Sequence, residues 1–351
     1  MNRYDVIIIG GGQSGLAVAY YLRRSGLRFV ILDKENKPGG SWQHHWESLR
    51  LFSPAQWSSL PGVIMNGGAD YYPSREETIA YLMAYESKYA FAIKRPVDVL
   101  RVTKDANEFT VETLDGVFYS TALVSATGSF YNPYVPQIDG LDKFTGTVIH
   151  SSAYKSPESF AGKRVAVVGE GNSGAQILAE VSKFADTIWV SQKEPRFLPD
   201  HIDGRYLFDA ATQMYEAQKA GKDYKPPSLG DIVMVESVKE ARARNVLNSV
   251  GALHCFTEKS IILANGNNEM VDVVIFCTGF KSSLAHLNGL DVVTGGKVDT
   301  IGTKAKKVDG LWMVGYGNWT GFASATLIGV GRSAKKTVEE IQAFVGQTIQ
   351  K

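Results

Sequence analysis

Apolar positions run unbroken from Val6 to Ile9 within Asp5-Val-Ile-Ile-Ile-Gly10, the pattern of a strand covered on both faces in a parallel sheet. Gly10-Gly-Gly12-Gln-Ser-Gly15 follows, then a helix-like run from Leu16 to Arg24 closed by Ser25-Gly26, and a second strand from Arg28 to Leu32. Asp33 stands at its end, 23 residues after Gly10. Together these make a βαβ dinucleotide fingerprint. The glycines permit a tight turn and close backbone approach, helix N–H groups meet a pyrophosphate, and the acid accepts from a ribose hydroxyl. The pattern recurs at Lys163-Arg-Val-Ala-Val-Val-Gly169-Glu-Gly171-Asn-Ser-Gly174, with a helix to about Phe184 and a strand from Thr187 to Val190. Two copies predict two nucleotides.

Between the copies, Ser74-Arg-Glu-Glu77 predicts a capping box opening a helix to about Ala90. Asp115-Gly116 predicts the turn of an antiparallel hairpin. Two further buried strands end alike, one in Ala126-Thr127-Gly128 and one in Cys277-Thr278-Gly279. Residues 199–253 are charged, helix-leaning and interrupted by Pro226-Pro227. We expect a solvated helical insertion there, with a substrate lid as the other reading.

Composition narrows the function classes. A length of 351 residues suggests two domains more readily than one, and 35 glycines suit an α/β enzyme with many tight turns. A net charge of +1 argues against a nucleic-acid partner. Cys255 and Cys277 are too far apart for a CxxC redox pair and give no disulfide framework, so a reducing cytoplasm is the expected compartment. No stretch nears the ~20 apolar residues that cross a bilayer, so no membrane association is expected. His44 and His45 are adjacent with no further ligand at zinc spacing, and no metal site is expected.

Phe144-Thr-Gly146-Thr-Val-Ile-His150-Ser-Ser-Ala-Tyr154 spells FxGxxxHxxxY and ends 15 residues before Gly169. With two dinucleotide loops around it, the chain resembles the flavin-containing monooxygenases, compact bacterial members above all. The resemblance implies an α/β fold of two Rossmann-like domains: an FAD domain of residues 1–152 and 272–351, and an inserted NAD(P)H domain of residues 153–271. It implies oxygenation of soft nucleophiles, sulfides and amines, by O₂ through a C4a-(hydro)peroxyflavin, with weak Baeyer–Villiger activity on strained ketones. The partners are then a small-molecule substrate and O₂, and a homodimer is the ordinary expectation.

The same resemblance assigns residues. Gly10, Gly12, Gln13, Ser14, Gly15, Asp33 and Lys34 would hold FAD, as would Gly40, Ser41 and Trp42 of a GGxW segment, Trp46, Ser53, Ala126, Thr127, Gly128 and Gly317. Gly169, Gly171, Asn172, Ser173, Gly174, Gln176, Ser191, Gln192, Lys193 and Thr278 would serve the nicotinamide cofactor. Phe52 and His150 are the catalytic candidates, and Phe52 is also counted among the cofactor-binding residues. His150 is read first as a residue that couples domains and positions the cofactor, and second as a proton carrier.

Three departures stand out. Phe52 occupies the place of an Asn that the family sets over the isoalloxazine, and it has neither donor nor acceptor. Tyr154-Lys155 replaces the Trp followed by Pro or Asp of the Baeyer–Villiger group. Val190-Ser191-Gln192-Lys193 lacks the Arg that would fork onto a 2′-phosphate, and also lacks an acid that would repel one, so both NADH and NADPH are expected to serve. A flavoprotein reductase or oxidase, or a slow redox sensor, is the alternative function. A disulfide reductase would require the missing CxxC.

Overall fold

In the computed structural model, the structure describes residues 2–349 except 203–204, 207–212, 214–215, 218–219 and 223–230. The chain divides into two compact units, the first made of Met1–Gln43, Pro54–Asn132 and Lys281–Lys351, the second of His44–Ser53 and Pro133–Phe280. Mixed α/β architecture with a parallel core appears in each.

The first unit is built on β1 (Arg3–Ile9), flanked in parallel by β2 (Phe29–Leu32) and β6 (Gly116–Ser125). Its sheet continues through β3 (Ile93–Lys94) beyond β2 and through β11 (Leu311–Met313) beyond β6. Ile7 and Ile8 are fully buried, which is why the run carries no polar alternation. Ile9 pairs with both Leu32 and Ser125, so the loop after β1, the acid after β2 and the crossover after β6 emerge on one sheet edge. That is where an open α/β sheet binds its ligands.

Helix α1 (Gln13–Leu22) follows the first loop, and α2 (Arg75–Tyr89) opens with the expected capping box, Ser74 and Glu77 satisfying each other's backbone N–H. The hairpin of β4 (Val99–Asp105), β5 (Glu108–Thr113) and β6 corrects one detail. Thr113 pairs with Gly116, so Leu114-Asp115 form the two-residue loop, one position earlier than the Asp-Gly signal. The Thr113 hydroxyl donates to Gly116 O (2.8 Å) and accepts from Asp115 N (3.2 Å), and that local ring sets the turn.

The second unit carries a parallel sheet in the order β7 (Thr147–His150), β10 (Val273–Phe276), β8 (Arg164–Val168), β9 (Asp186–Val190). Phe276 pairs with His150 and Val168, and Val168 with Val190, so His150, Gly169, Ser191 and Cys277 come out on one edge. Helix α3 (Asn172–Val181) buries Ile177, Leu178 and Val181 against Val165, Val167 and Trp189. Its C-terminal carbonyls at Ala179 and Ser182 accept from Arg244, just past α4 (Glu236–Ala243). Cations there complement the helix dipole. Most of the span from 203 to 230, including Pro226-Pro227, lies outside the described residues.

Candidate nucleotide sites

Each fingerprint glycine has a separate physical reason, and the reasons repeat in both units. Gly10 lies at φ +106° with a hypothetical Cβ 2.5 Å from Ala126 O; Gly169 lies at φ +136° with its Cβ 2.4 Å from Cys277 O. A side chain there collides with the neighbouring crossover. A Cβ on Gly15 falls 1.9 Å from Gly10 O, and one on Gly174 falls 2.3 Å from Gly169 O, so these positions let helix and turn close. The middle glycines differ. A Cβ on Gly171 meets nothing within 4 Å, and one on Gly12 meets only Gly40 Cα at 3.9 Å. Nothing in the protein itself excludes a side chain there.

Gly12 and Gly171 are also the N-caps of α1 and α3, and neither helix has a side-chain cap. The N–H groups of both first turns have no side-chain cap, and the middle glycine at each turn leaves open space where a side chain would stand. A pyrophosphate fits that space and supplies the acceptors, with the positive end of the helix dipole favouring its charge. The donor set thus suits one dinucleotide per unit.

In the first unit, Gln13 donates to Ala325 O (2.6 Å) and accepts from Trp42 Nε1 (3.0 Å), joining α1 to the Gly40–His44 turn that contains Ser41. Gly40 sits at φ +53° with a Cβ position 2.8 Å from Gly12 Cα, so the Gly-Gly pair is needed for this approach. Ser14 is buried where a Cβ on Gly315 would fall 1.9 Å from its Oγ. Gly317, at φ +78°, accepts from Ser324 Oγ (2.8 Å).

Asp33 is buried and is gripped by Arg95, whose Nη2 lies 2.7 Å and Nε 2.8 Å from Oδ2. The same guanidinium forks onto Glu86 (2.8 and 2.9 Å). Lys34 Nζ lies 3.0 Å from the centroid of the Tyr131 ring, and the Tyr131 hydroxyl donates to Glu35. Sequence reasoning missed Arg95, Glu86 and Tyr131, which stand tens of residues from the acids at the end of β2, Asp33 and Glu35.

Ala126, Thr127 and Gly128 leave β6 with a buried polar network behind them. Thr127 Oγ1 donates to Ser283 O (2.6 Å); Tyr316 Oη lies 2.7 Å from Thr127 Oγ1 and 2.5 Å from Ser125 Oγ; Ser125 Oγ lies 3.0 Å from His286 Nε2. None of His286, Ser125 and Tyr316 announced itself through sequence spacing.

In the second unit every letter of FxGxxxHxxxY has a packing reason. The Phe144 ring packs on Phe256 (5.3 Å between centroids) and also covers Gly146, where a Cβ would come within 2.4 Å of it. His150 accepts from Ser152 N at Nδ1 (3.1 Å) and donates from Nε2 to Gly279 O (3.0 Å), with its ring 4.9 Å from that of Phe280. Burial pulls its pKa down. Both ring nitrogens of the neutral form are engaged, which suits a coupling residue better than a proton carrier.

Tyr154 is buried, stacks on Phe160 and donates to Glu180 (3.0 Å), which also accepts from Ser48. Trp46 sets its edge against Tyr154 (6.4 Å), Glu47 N donates to Lys155 O (3.0 Å) and Lys155 Nζ donates to His44 O (2.5 Å). Residues 44–53 are therefore fastened within the second unit. Phe52 lies there beside Leu198 and Val233, and Ser53 is buried nearby in sequence.

At the far end of β9, Ser191 is buried and bonds Lys193 O (2.8 Å) and Ser249 Oγ (2.7 Å), whereas Gln192 and Lys193 are exposed. Asn172 at the start of α3 accepts from Val233 N (2.9 Å), and Ser173 and Gln176 are half-buried on its first turns. Thr278 donates to Tyr134 O. Cys277 and Cys255 are unpaired, and burial pushes the Cys277 thiol up to about 12, so no thiolate is available at this strand end. Among the described residues no three His, Cys, Asp or Glu side chains converge as metal ligands, and no helix is long and apolar enough to cross a membrane.

Two glycine loops, each ahead of a helix N-terminus without a side-chain cap, and no CxxC cysteine pair are the features of a two-dinucleotide oxidoreductase. The sequence profile of the pyridine nucleotide-disulphide oxidoreductases matches residues 7–315. The structure superposes on a flavin-containing monooxygenase from Stenotrophomonas maltophilia with a TM-score of 0.90, at 47% identity, covering 98% of this chain and 99% of that one. An uncharacterized oxidoreductase, CzcO, of Bacillus subtilis is 31% identical over 341 residues, 96% of this chain and 99% of its own length. An indole-3-pyruvate monooxygenase of Oryza sativa subsp. japonica is 27% identical over 390 residues, 95% of this chain and 90% of its own. The chain belongs to the pyridine nucleotide-disulphide oxidoreductase family and, within it, to the flavin-containing monooxygenases. It is an oxidoreductase that uses FAD, a nicotinamide dinucleotide and O₂ on a small molecule.

Proposed function

We propose that this enzyme oxygenates soft nucleophiles, sulfides first and amines second, drawing on NADH and NADPH alike. FAD is assigned to the first unit, through Gly10, Gly12, Gly15, Asp33 and the 126–128 crossover; the nicotinamide cofactor is assigned to the second, through Gly169, Gly171, Gly174 and the tip of β9. When bound, these groups supply the hydride and the activation of O₂. The protein's own share is to bind, orient and exclude water. His150, neutral and engaged at both nitrogens, holds the β7 end to Gly279. Phe52 packs with Leu198 and Val233 in an apolar cluster of the second unit and offers no hydrogen-bond donor.

The observation that carries the cofactor reading is the tip of β9. Ser191 is engaged by Lys193 O and Ser249, so recognition of the adenosine ribose falls to exposed Gln192 and Lys193. A flexible amide bonds a hydroxyl or a phosphate; a lysine offers a point charge without a bidentate fork. The preference between cofactors is expected to stay within about a hundredfold in kcat/KM, about 2.7 kcal/mol. Offering methyl aryl sulfide and a strained cyclic ketone together, with NADH and then NADPH, tests both halves. Sulfoxide should exceed lactone with either cofactor. A main product of lactone, or a larger cofactor preference, would overturn the proposal.

A second reading, an NAD(P)H oxidase or slow redox-sensing flavoprotein, is favoured by one feature. Phe52 supplies no hydrogen bond where the family has an Asn, so the chain lacks at that place a side chain that would favour oxygen transfer to substrate over release of hydrogen peroxide.

A further inference from the structure

We propose that His286 is a positioning residue for the flavin site of the first unit, acting through Ser125 and Tyr316 on the backbone at Thr127. The inference rests on the assignment of FAD to that unit. Each hydroxyl carries a single proton to donate. Thr127 Oγ1 has one, and Ser283 O at 2.6 Å can only accept, so that proton is taken. The 2.7 Å contact between Thr127 Oγ1 and Tyr316 Oη then requires Tyr316 as donor. The 2.5 Å contact between Tyr316 Oη and Ser125 Oγ requires Ser125 as donor, and the 3.0 Å contact from Ser125 Oγ to His286 requires a proton on Nε2. The chain has one direction: His286 to Ser125 to Tyr316 to Thr127 to Ser283 O.

His286 is its source. The ring is buried, and burial pushes its pKa down to about 4, so it is neutral at neutral pH, and the proton count places its one N–H on Nε2. Tyr316 Oη, already accepting from Ser125, takes a second bond from the Thr127 backbone N–H (3.2 Å). That amide follows Ala126, whose carbonyl would lie 2.5 Å from a Cβ on Gly10. Pulling on the Thr127 peptide therefore sets the shelf on which the first glycine loop rests. Removing the Nε2 donor leaves the Ser125 oxygen without its proton donor in a dry site and lets the Tyr316 hydroxyl rotate away from Thr127.

The test compares FAD binding by the full chain in three forms: wild type, His286→Leu and His286→Gln, with Kd read from flavin fluorescence and melting temperature measured without FAD. Leucine has no donor, whereas the glutamine amide can place an N–H near the former Nε2 position. The Leu variant is expected to hold FAD about tenfold more weakly, and the Gln variant to recover most of that loss. Tyr316→Phe keeps the ring and removes the relay hydroxyl, and it should weaken FAD to a similar degree; it also serves if the Leu variant does not fold. FAD binding by Tyr316→Phe equal to wild type, or equal losses in the Leu and Gln variants, would overturn the proposal while leaving the flavin assignment intact. A wild-type chain that takes up no FAD would overturn both.

Discussion

Gly171→Ala is expected to leave the melting temperature within a degree or two of wild type, keep FAD bound, and raise the KM for NADH and NADPH about a hundredfold. The alanine methyl meets no protein atom within 4 Å, and the residue sits in extended backbone at φ −97°, ψ −174°, which any side chain adopts. The fold has no reason to object. The methyl does enter the space in front of the uncapped α3 N-terminus, where the pyrophosphate would approach the backbone. A hundredfold loss corresponds to about 2.7 kcal/mol, the scale of losing close charge-assisted bonds there. Steady-state kinetics with flavin content measured alongside checks it. Gly12→Ala is the mirror case, because its methyl has only Gly40 Cα at 3.9 Å nearby, and it should empty the FAD site instead. If Gly171→Ala binds both nicotinamide cofactors normally, the second loop is not the nucleotide site.

Arg95→Met should destabilise the FAD-free protein by about 3 to 5 kcal/mol, the usual effect of removing one partner from a buried ionic cluster. Arg95, Asp33 and Glu86 side chains are 12%, 5% and 10% exposed, so water cannot replace the guanidinium. Two carboxylates would be left in a dry site without their shared cation. Adding Glu86→Gln to Arg95→Met should recover part of the loss, since it neutralises one stranded charge. Urea unfolding with constant m-value measures both. A loss below about 1 kcal/mol for Arg95→Met would mean the cluster relaxes into solvent and does not hold Asp33 in place.

Local chemistry made much of the fold legible. Both glycine loops, the Asp33 position and the Ser74 capping box depend on residues within about one turn or one strand of each other, and the structure has them at those positions. The hairpin turn shifted by one residue because Thr113, a side chain outside the Asp-Gly signal, closes the loop. Arg95 could not be paired with Asp33 from spacing, since the two stand 62 positions apart with a helix between them. Glu180 sits on α3 looking like an ordinary helix-surface acid until Tyr154 and Ser48 are brought to it. Residues 44–53 show neither helical nor strand period, so nothing in their pattern says that their contacts are with the second unit; Lys155, Tyr154 and Glu180 decide it. The polar chain from His286 is drawn from three segments, and its proton order exists only once distances are known.

The most direct measurement follows three quantities together in air: nicotinamide cofactor consumed, sulfoxide formed from methyl aryl sulfide, and hydrogen peroxide released. Sulfoxide is expected to exceed peroxide, and the two together to match the cofactor consumed, with NADH and with NADPH. Cofactor consumption matched by peroxide alone, with no sulfoxide, would contradict oxygenation as this protein's reaction and make it an oxidase.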